Sequence, residues 1–513
     1  MPKPRNVSGS AAASAVENTD SGFSGEIVVA SRIVDYLSSG LYESPAACLK
    51  ELINNSYDAD ARRVTVFVKP DADRIIIEDD GVGMNRADFE KHFTKISESY
   101  KREDGDTTAM GRPKIGKIGI GFIAANEICD VMELFSTKKG SKELLHVSIN
   151  FDVMRQSVDS RRRGDKEIAK ADYEGTIENA PIDDHYTILF LKRVRGEART
   201  ILAGAASRGH TAGSKSLYGL NEEQIGAILA KPEVDSWSEF DSYSQNMLQV
   251  ALNVPVQYMP DWIPHELKEP VRPFVQRTDS LQFKVTLDGT NLRKPIIFSP
   301  PSSAFVEQFK FRGHHVSADG YFYIQHKGIR PRELQGLLIR IRNAAIGDYD
   351  QSFLDFSSSE GPLFQSWVSA EIWADDRLED AMNIDRKTLR IAHPAYVELQ
   401  GAIHACLSEL IKRARSELYG AGSRERDAKR AEGLVVSLGE VAKAASTTIG
   451  RPAAAALVRK WQAAGESPVL QRRLLKKYSV VDLYRVVLEV AEDVMSPAQV
   501  REFVKRLTER LSK

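Results

Sequence analysis

The chain has 513 residues, 42% hydrophobic and 27% charged, which is ordinary for a soluble globular protein and long enough for two to four domains. Seventy Lys and Arg against 71 Asp and Glu leave a formal net charge of −1, so there is no global electrostatic pull toward nucleic acid or membrane. No uninterrupted apolar run is long enough to span a bilayer and no signal-peptide hydrophobic region opens the chain, so no membrane partner is expected. Cys48, Cys129 and Cys406 lie far apart, each inside an apolar pattern. They read as reduced, buried thiols of a cytoplasmic protein, without metal-ligand spacing.

Residues 1–22, rich in Ser, Ala and Gly, predict a disordered leader. Ile27, Val28, Ile33, Val34 and Leu37 give 26–41 a helical period, with Gly40 as its stop. The next helix is better marked. Ser44 is a natural N-cap, Pro45 suits the first helical position, and Leu49, Leu52 and Ile53 supply an apolar stripe. On this helix Glu51, Asn55 and Asp58 fall at i, i+4 and i+7 and project along one face. A solvated face would explain any one of them; a cation plus a water to be activated explains all three.

Val64, Val66 and Val68 alternate as in a half-buried strand, and a second strand over 74–78 runs into Asp79-Asp80-Gly81-Val82-Gly83-Met84. Glycines one residue apart at a strand end permit a tight turn and close approach of a flat ligand to backbone. Residues 93–112 are polar, lack a clear period, contain Ser99-Tyr100-Lys101 and have the character of a mobile lid. They lead into Ile115-Gly116-Lys117-Ile118-Gly119-Ile120-Gly121-Phe122 and a helical stretch to 128. Three glycines opening a helix either present N–H groups to an anion or loosen a loop for packing.

Taken in order, Glu-x-x-x-Asn-x-x-Asp-Ala, Asp-x-Gly-x-Gly-Met, Ser-x-Lys and Ile-Gly-x-x-Gly-Ile-Gly-Phe resemble the ATP-binding domain of the GHKL superfamily. That group includes type II topoisomerase ATPase subunits, 90-kDa heat-shock chaperones, histidine kinases, MutL and the MORC proteins. The likeness spans residues 25–192, and Tyr100-Lys101 with the Ile-Gly-Phe ending is most similar to the MORC-like and heat-shock-like branches. The resemblance implies an α/β sandwich of the Bergerat type with ATP and Mg²⁺ as cofactors. It implies Glu51 as the base that orients and deprotonates the attacking water, and Asn55 as the metal ligand. Asp79 would accept from the adenine amino group, in a nucleotide site shared with Asp58, Gly81, Gly83 and Met84. Ser99 and Lys101 would belong to the lid. Gly116, Gly119 and Gly121, with Lys117 and Phe122 between and after them, would face the phosphates.

Strands follow at 131–136 and 144–151, and a buried one at 185–191 carries Thr187. The resemblance implies a Thr there that shares the adenine with the Asp, although Tyr186 stands where the family has Gly. Residues 195–215 suggest a flexible connection, then helices at 221–231 and 236–252. From 280 the pattern turns to strands, with 281–287 and 293–298 flanking the hairpin signal Asp288-Gly289, then 320–325 and 337–343. Met382-Asn383-Ile384-Asp385-Arg386-Lys387-Thr388-Leu389 is similar to the chaperone segment that offers an arginine to the γ-phosphate, which implies a catalytic role for Arg386. A long amphipathic helix covers 394–419, and 420–513 is helical with a basic cluster at Arg472, Arg473, Lys476 and Lys477 that reads as a solvated face.

The expected organisation is a leader at 1–22, an ATP-binding domain at 23–194, a linker and helical insertion at 195–279, a transducer-like βα domain at 280–419 and a helical domain at 420–513. The expected function is an ATP-hydrolysing switch that closes into a homodimer, with DNA or a partner protein as a further partner in a DNA-transaction or defence-type complex. A chaperone of the 90-kDa type, a topoisomerase-VI-B-like subunit and a module that only binds ATP are the rival readings; a histidine kinase is disfavoured for want of a phosphoacceptor helix before the domain.

Overall fold

A computed structural model describes residues 22–29, 44–68, 73–93, 95–96, 105–116, 124–152, 155, 170–204, 215–300, 303–357, 364–383, 387–414, 417, 487 and 489–511. The fold is α/β. A ten-stranded sheet contains β1 (Phe23–Val29), β2 (Arg63–Phe67), β3 (Arg74–Asp79), β4 (Lys95–Ile96), β5 (Cys129–Thr137), β6 (Glu143–Asn150), β7 (Lys170–Asn179), β8 (Tyr186–Val194), β9 (Lys284–Leu287) and β10 (Thr290–Asn291). Its order is β10-β9-β2-β3-β8-β5-β6-β7-β1-β4. Five strands, β11 (Ala304–Arg312), β12 (Ser317–Gln325), β13 (Gly336–Ile341), β14 (Ala344–Asp350) and β15 (Val368–Ala374), make a second sheet in the order β11-β12-β15-β13-β14.

Helix α1 (Pro45–Asp58) begins where its cap dictates: Ser44 is extended and its side chain accepts from Ala47 N. Leu49, Leu52 and Ile53 are fully buried and join Val64, Val66, Ile75 and Ile77 of the large sheet in one core. Short helices α2 (Arg86–Phe93), α3 (Ala124–Ile128), α4 (Gly196–Leu202), α5 (Glu222–Leu229), α6 (Ser242–Asn253) and α7 (Lys268–Asp279) follow. The second core lies between the five-stranded sheet and α8 (Pro394–Ala414), which buries Leu399, Ile403, Leu407 and Leu410 at helical spacing.

Several expectations need correction. Residues 26–29 are strand, not helix: Phe23, Gly25 and Ile27 alternate inward against Ser24 and Glu26, and β1 pairs antiparallel with β7 from Phe23↔Gly175 to Val28↔Lys170. The period of two won over the period of 3.6 because a neighbouring edge was available. The Asp288-Gly289 hairpin forms, with both residues at positive φ, but β9 pairs parallel with β2. It thus extends the first sheet rather than opening the second. Residues 293–298 form no strand; a single bridge joins Lys294 to Tyr258. Part of the expected flexible connection is α4, and α7 forms despite Pro270 and Pro273 because Val271, Phe274 and Thr278 bury one face.

Residues 1–418 and 419–513 are separate compact units. In the second, α9 (Pro497–Leu511) follows Ser496, whose N–H and hydroxyl donate to Gln499 Oε1. The leader expected at 1–22 and the Arg472–Lys477 cluster lie outside the described residues, Gly22 excepted. No described helix is long and apolar enough to cross a membrane.

Candidate functional site

The polar face of α1 meets the end of β3. Ser56 Oγ donates to Asp79 Oδ2 at 2.8 Å, and Gly81 N–H returns to Asp79 Oδ1 at 3.0 Å. Burial pushes the Asp79 carboxyl up to about 6, with those two hydrogen bonds pulling the other way. The β3–β8 register sets Thr187 directly opposite Asp79, and the β5–β8 register sets Ser136 opposite Thr187. The three side chains form a row across adjacent strands at one end of the sheet.

The proton order in that row follows from the donors. Ser136 Oγ donates to the Tyr186 carbonyl at 2.8 Å, since a carbonyl can only accept. It accepts from Met84 N–H at 2.9 Å, and the Thr187 hydroxyl, 3.0 Å away, therefore donates to it. Thr187 is left with acceptor capacity and Asp79 is a buried acceptor. Tyr186, standing where the family pattern has Gly, points to the opposite face of β8 by strand alternation.

The glycines of the Asp79–Met84 segment answer to the protein's own backbone. A Cβ on Gly81 would stand 2.7 Å from the Ala59 carbonyl oxygen, and one on Gly83 would overlap the Thr137 carbonyl. Gly83 also has φ +66, where a side chain is strained. Val82 N–H donates to Ala59 O at 2.8 Å and His185 Nδ1–H to Gly81 O at 2.7 Å, which clamps the turn from both sides.

Glu51 is 7% exposed, and Lys50 Nζ stands 3.9 Å from its carboxylate. Asn55 is half-buried on the same helix. Asp58 is placed differently from the expectation of a nucleotide contact: its carboxylate accepts from Ile115 N–H at 2.6 Å and Gly116 N–H at 2.8 Å. Gly116 therefore spends its N–H on Asp58 rather than on an anion, and the pair ties the start of the glycine-rich loop to α1. Ser99, Lys101, Lys117, Gly119, Gly121, Phe122 and Arg386 lie outside the described residues.

Ser56, Ser136 and Asn54 belong to no motif of the sequence. Each carried a signal, a polar residue at a core-facing position of an otherwise apolar stripe or strand. Asn54 is 3% exposed and neither of its amide atoms has a protein hydrogen-bond partner among the described residues.

Residues 42–183 match the family described as histidine kinase-, DNA gyrase B-, and HSP90-like ATPase. The chain carries a GHKL-type domain. A segment is 35% identical over 122 residues to the "Putative type II restriction enzyme HgiDII" of Herpetosiphon aurantiacus, covering 24% of this chain and 19% of that protein. The chaperone protein HtpG of Bacillus subtilis (strain 168) is 30% identical over 134 residues, 22% of this chain and 21% of HtpG. The HtpG of Gluconobacter oxydans (strain 621H) is 30% identical over 143 residues, 24% of this chain and 22% of that protein. The chain thus spans about a fifth of the length of the relatives it matches. The GHKL match covers α1, the Asp79 turn, β5 and residues 105–116.

Proposed function

We propose that the chain binds ATP with Mg²⁺ at the α1–β3 site, hydrolyses it, and uses the cycle to switch between open and closed dimeric states in a DNA-transaction or defence-type complex. The observation that carries the reading is the buried Asp79–Thr187–Ser136 row, an acceptor and a polarised hydroxyl side by side at a sheet end. The acceptor pair fits adenine: Asp79 can accept from the exocyclic amino group, and a water that donates one hydrogen to Thr187 Oγ1 can donate the other to a ring nitrogen. Mg²⁺, held by Asn55 and the phosphates, would neutralise charge on the transferring phosphoryl group.

Glu51 sits one helical turn before Asn55, in a position to orient a water and take its proton. The remaining phosphate contacts are assigned to Gly119, Gly121 and Lys117, with Arg386 as the γ-phosphate arginine. One observation supports the latter: Met382, four residues before Arg386, lines a pocket together with Lys50 and Asn54 of α1. Glu51→Gln tests the reading: the amide is nearly isosteric but cannot accept a proton, so nucleotide binding should persist while phosphate release stops. Wild-type turnover in the variant would refute the role of Glu51.

The likeness to a protein named as a type II restriction enzyme favours the DNA-associated context. The likeness to HtpG supports a second reading, a chaperone of the 90-kDa class. DNA-stimulated hydrolysis distinguishes the first from suppression of client aggregation in the second.

A further inference from the structure

The turn between β13 and β14 reaches out of the second sheet and touches the candidate site at two places. Its two central residues, Arg342 and Asn343, have φ +51 and +72, so a long, charged side chain occupies a position that favours Gly or Asn. The Arg342 side chain is only 3% exposed. One guanidinium nitrogen, Nη1, donates to the Lys114 carbonyl of the lid segment, and Nη2 lies 3.7 Å from Asp106 of the same segment. From its own domain the group is held by Asp376, whose Oδ1 accepts from Nε at 2.7 Å, and by Glu379 at 3.5 Å. Three residues farther along, the Ala345 carbonyl accepts from Lys50 Nζ at 3.1 Å, beside Glu51.

The base of the hairpin is fixed. Arg340 and Glu371 are fully buried, and Arg340 Nε donates to Glu371 Oε1 at 2.7 Å while Nη2 donates to the Leu252 carbonyl of α6 at 3.0 Å. Tyr258 donates to the other Glu371 oxygen at 2.8 Å. Such a network orients β13 firmly against α6 and the segment that follows it. On the lid side, residues 105–116 are otherwise held by Asp58 through Ile115 and Gly116, by Asp60 through Met110 N–H at 3.1 Å, and by Arg112, which donates to Ala61 O at 2.6 Å and Leu281 O at 2.8 Å. Asp58, Asp60, Ala61 and Leu281 all lie outside the second sheet, and Arg112 is part of the held segment itself. Among these contacts, Arg342 is the one that brings the second sheet to the segment leading into the glycine-rich loop.

We propose that Arg342 is a positioning residue for the nucleotide site: it holds the lid segment 105–116 in register with α1 and so makes retention of nucleotide depend on the second sheet. The role in nucleotide retention rests on the ATP reading above. A planar, five-donor guanidinium suits the task, because it can serve the Lys114 carbonyl and the acids at 376 and 379 at once. A lysine cannot, so the geometry separates charge from shape.

The test has two arms on the full chain. Hydrogen exchange of peptides covering 105–116 is compared in nucleotide-free wild type, Arg342→Ala, Arg342→Lys and Asp376→Asn, with β11–β12 peptides as the internal control. Exchange in 105–116 should rise about tenfold or more in Arg342→Ala, by less in the other two, and stay unchanged in β11–β12. In the second arm, release of a fluorescent ATP analogue should quicken by a similar factor in Arg342→Ala. Unaltered exchange together with unaltered release would overturn the assignment. Faster exchange with unaltered release would overturn the role in nucleotide retention. If Arg342→Ala loosens β11–β12 as well, the surface-facing Asp376→Asn decides, and wild-type exchange in that variant counts against the proposal. Wild-type protein that binds no analogue at all would refute the ATP reading, and with it the retention role, while the exchange arm still decides whether Arg342 tethers the lid.

Discussion

Replacing Asp79 by Asn should move stability and affinity in opposite directions. Burial raises the Asp79 carboxyl from 3.8 to about 6, so the folded protein binds this proton more tightly than the unfolded chain does. The stability linked to that proton is fully present below pH of about 4, the unfolded value, and is lost as pH rises through about 6. A shift of this size corresponds to roughly 3 kcal/mol. Asn is neutral throughout, keeps an oxygen for Gly81 N–H, and presents its NH₂ to Ser56, whose hydroxyl can rotate to accept. The variant should therefore be more stable than wild type at pH 8, by on the order of 2 kcal/mol after some loss of geometry, with the gap closing toward pH 4. Nucleotide binding should suffer, because a donor now faces the adenine amino group; the usual cost of 1–3 kcal/mol weakens affinity by about 5- to 150-fold. Denaturant melts at pH 4.5 and 8 with calorimetric titration of an ATP analogue measure both. Wild-type affinity should itself fall below pH of about 6 relative to the variant, as Asp79 takes up its proton. Unchanged affinity, or stability and affinity falling together, would refute the reasoning.

Gly83→Ala should destabilise the fold by about 3 kcal/mol or more, since the added Cβ overlaps the Thr137 carbonyl at a positive φ, and a denaturation midpoint reports it. A non-hydrolysable ATP analogue should convert the chain to a closed dimer while ADP does not; about 5 kcal/mol of differential affinity is needed, within reach of several charge-assisted contacts to one phosphate. Light scattering with analogue, ADP and no nucleotide checks this, and equal masses in all three would refute a nucleotide-gated dimer once a constitutive contact through 420–513 is removed by truncation.

Local chemistry in the sequence determined the elements whose signals are local. Ser44 and Pro45 start α1, alternation marks β2 and β3, Asp288-Gly289 forces a two-residue turn, and the ordered motifs mark a GHKL likeness over 25–192, of which the family match covers 42–183. The Glu51 and Asn55 face is helical arithmetic. What depends on a partner distant in the chain was decided by tertiary structure. Whether Phe23–Val29 is strand depends on the edge offered by β7, about 145 residues later, and whether β9 joins the first or second sheet depends on β2. Register placed Asp79 opposite Thr187 and drew in Ser136, which has no motif of its own. The Asp79–Met84 glycines could be recognised from sequence, but their cause, collision with Ala59 and Thr137, exists only once α1 and β5 converge on that turn. Asp58 reads as a ligand contact along the helix and becomes an anchor for Ile115 and Gly116 only because that segment folds back on α1. Side-chain roles of this kind follow from which backbone donors arrive nearby, and the order of residues along one element does not contain that information.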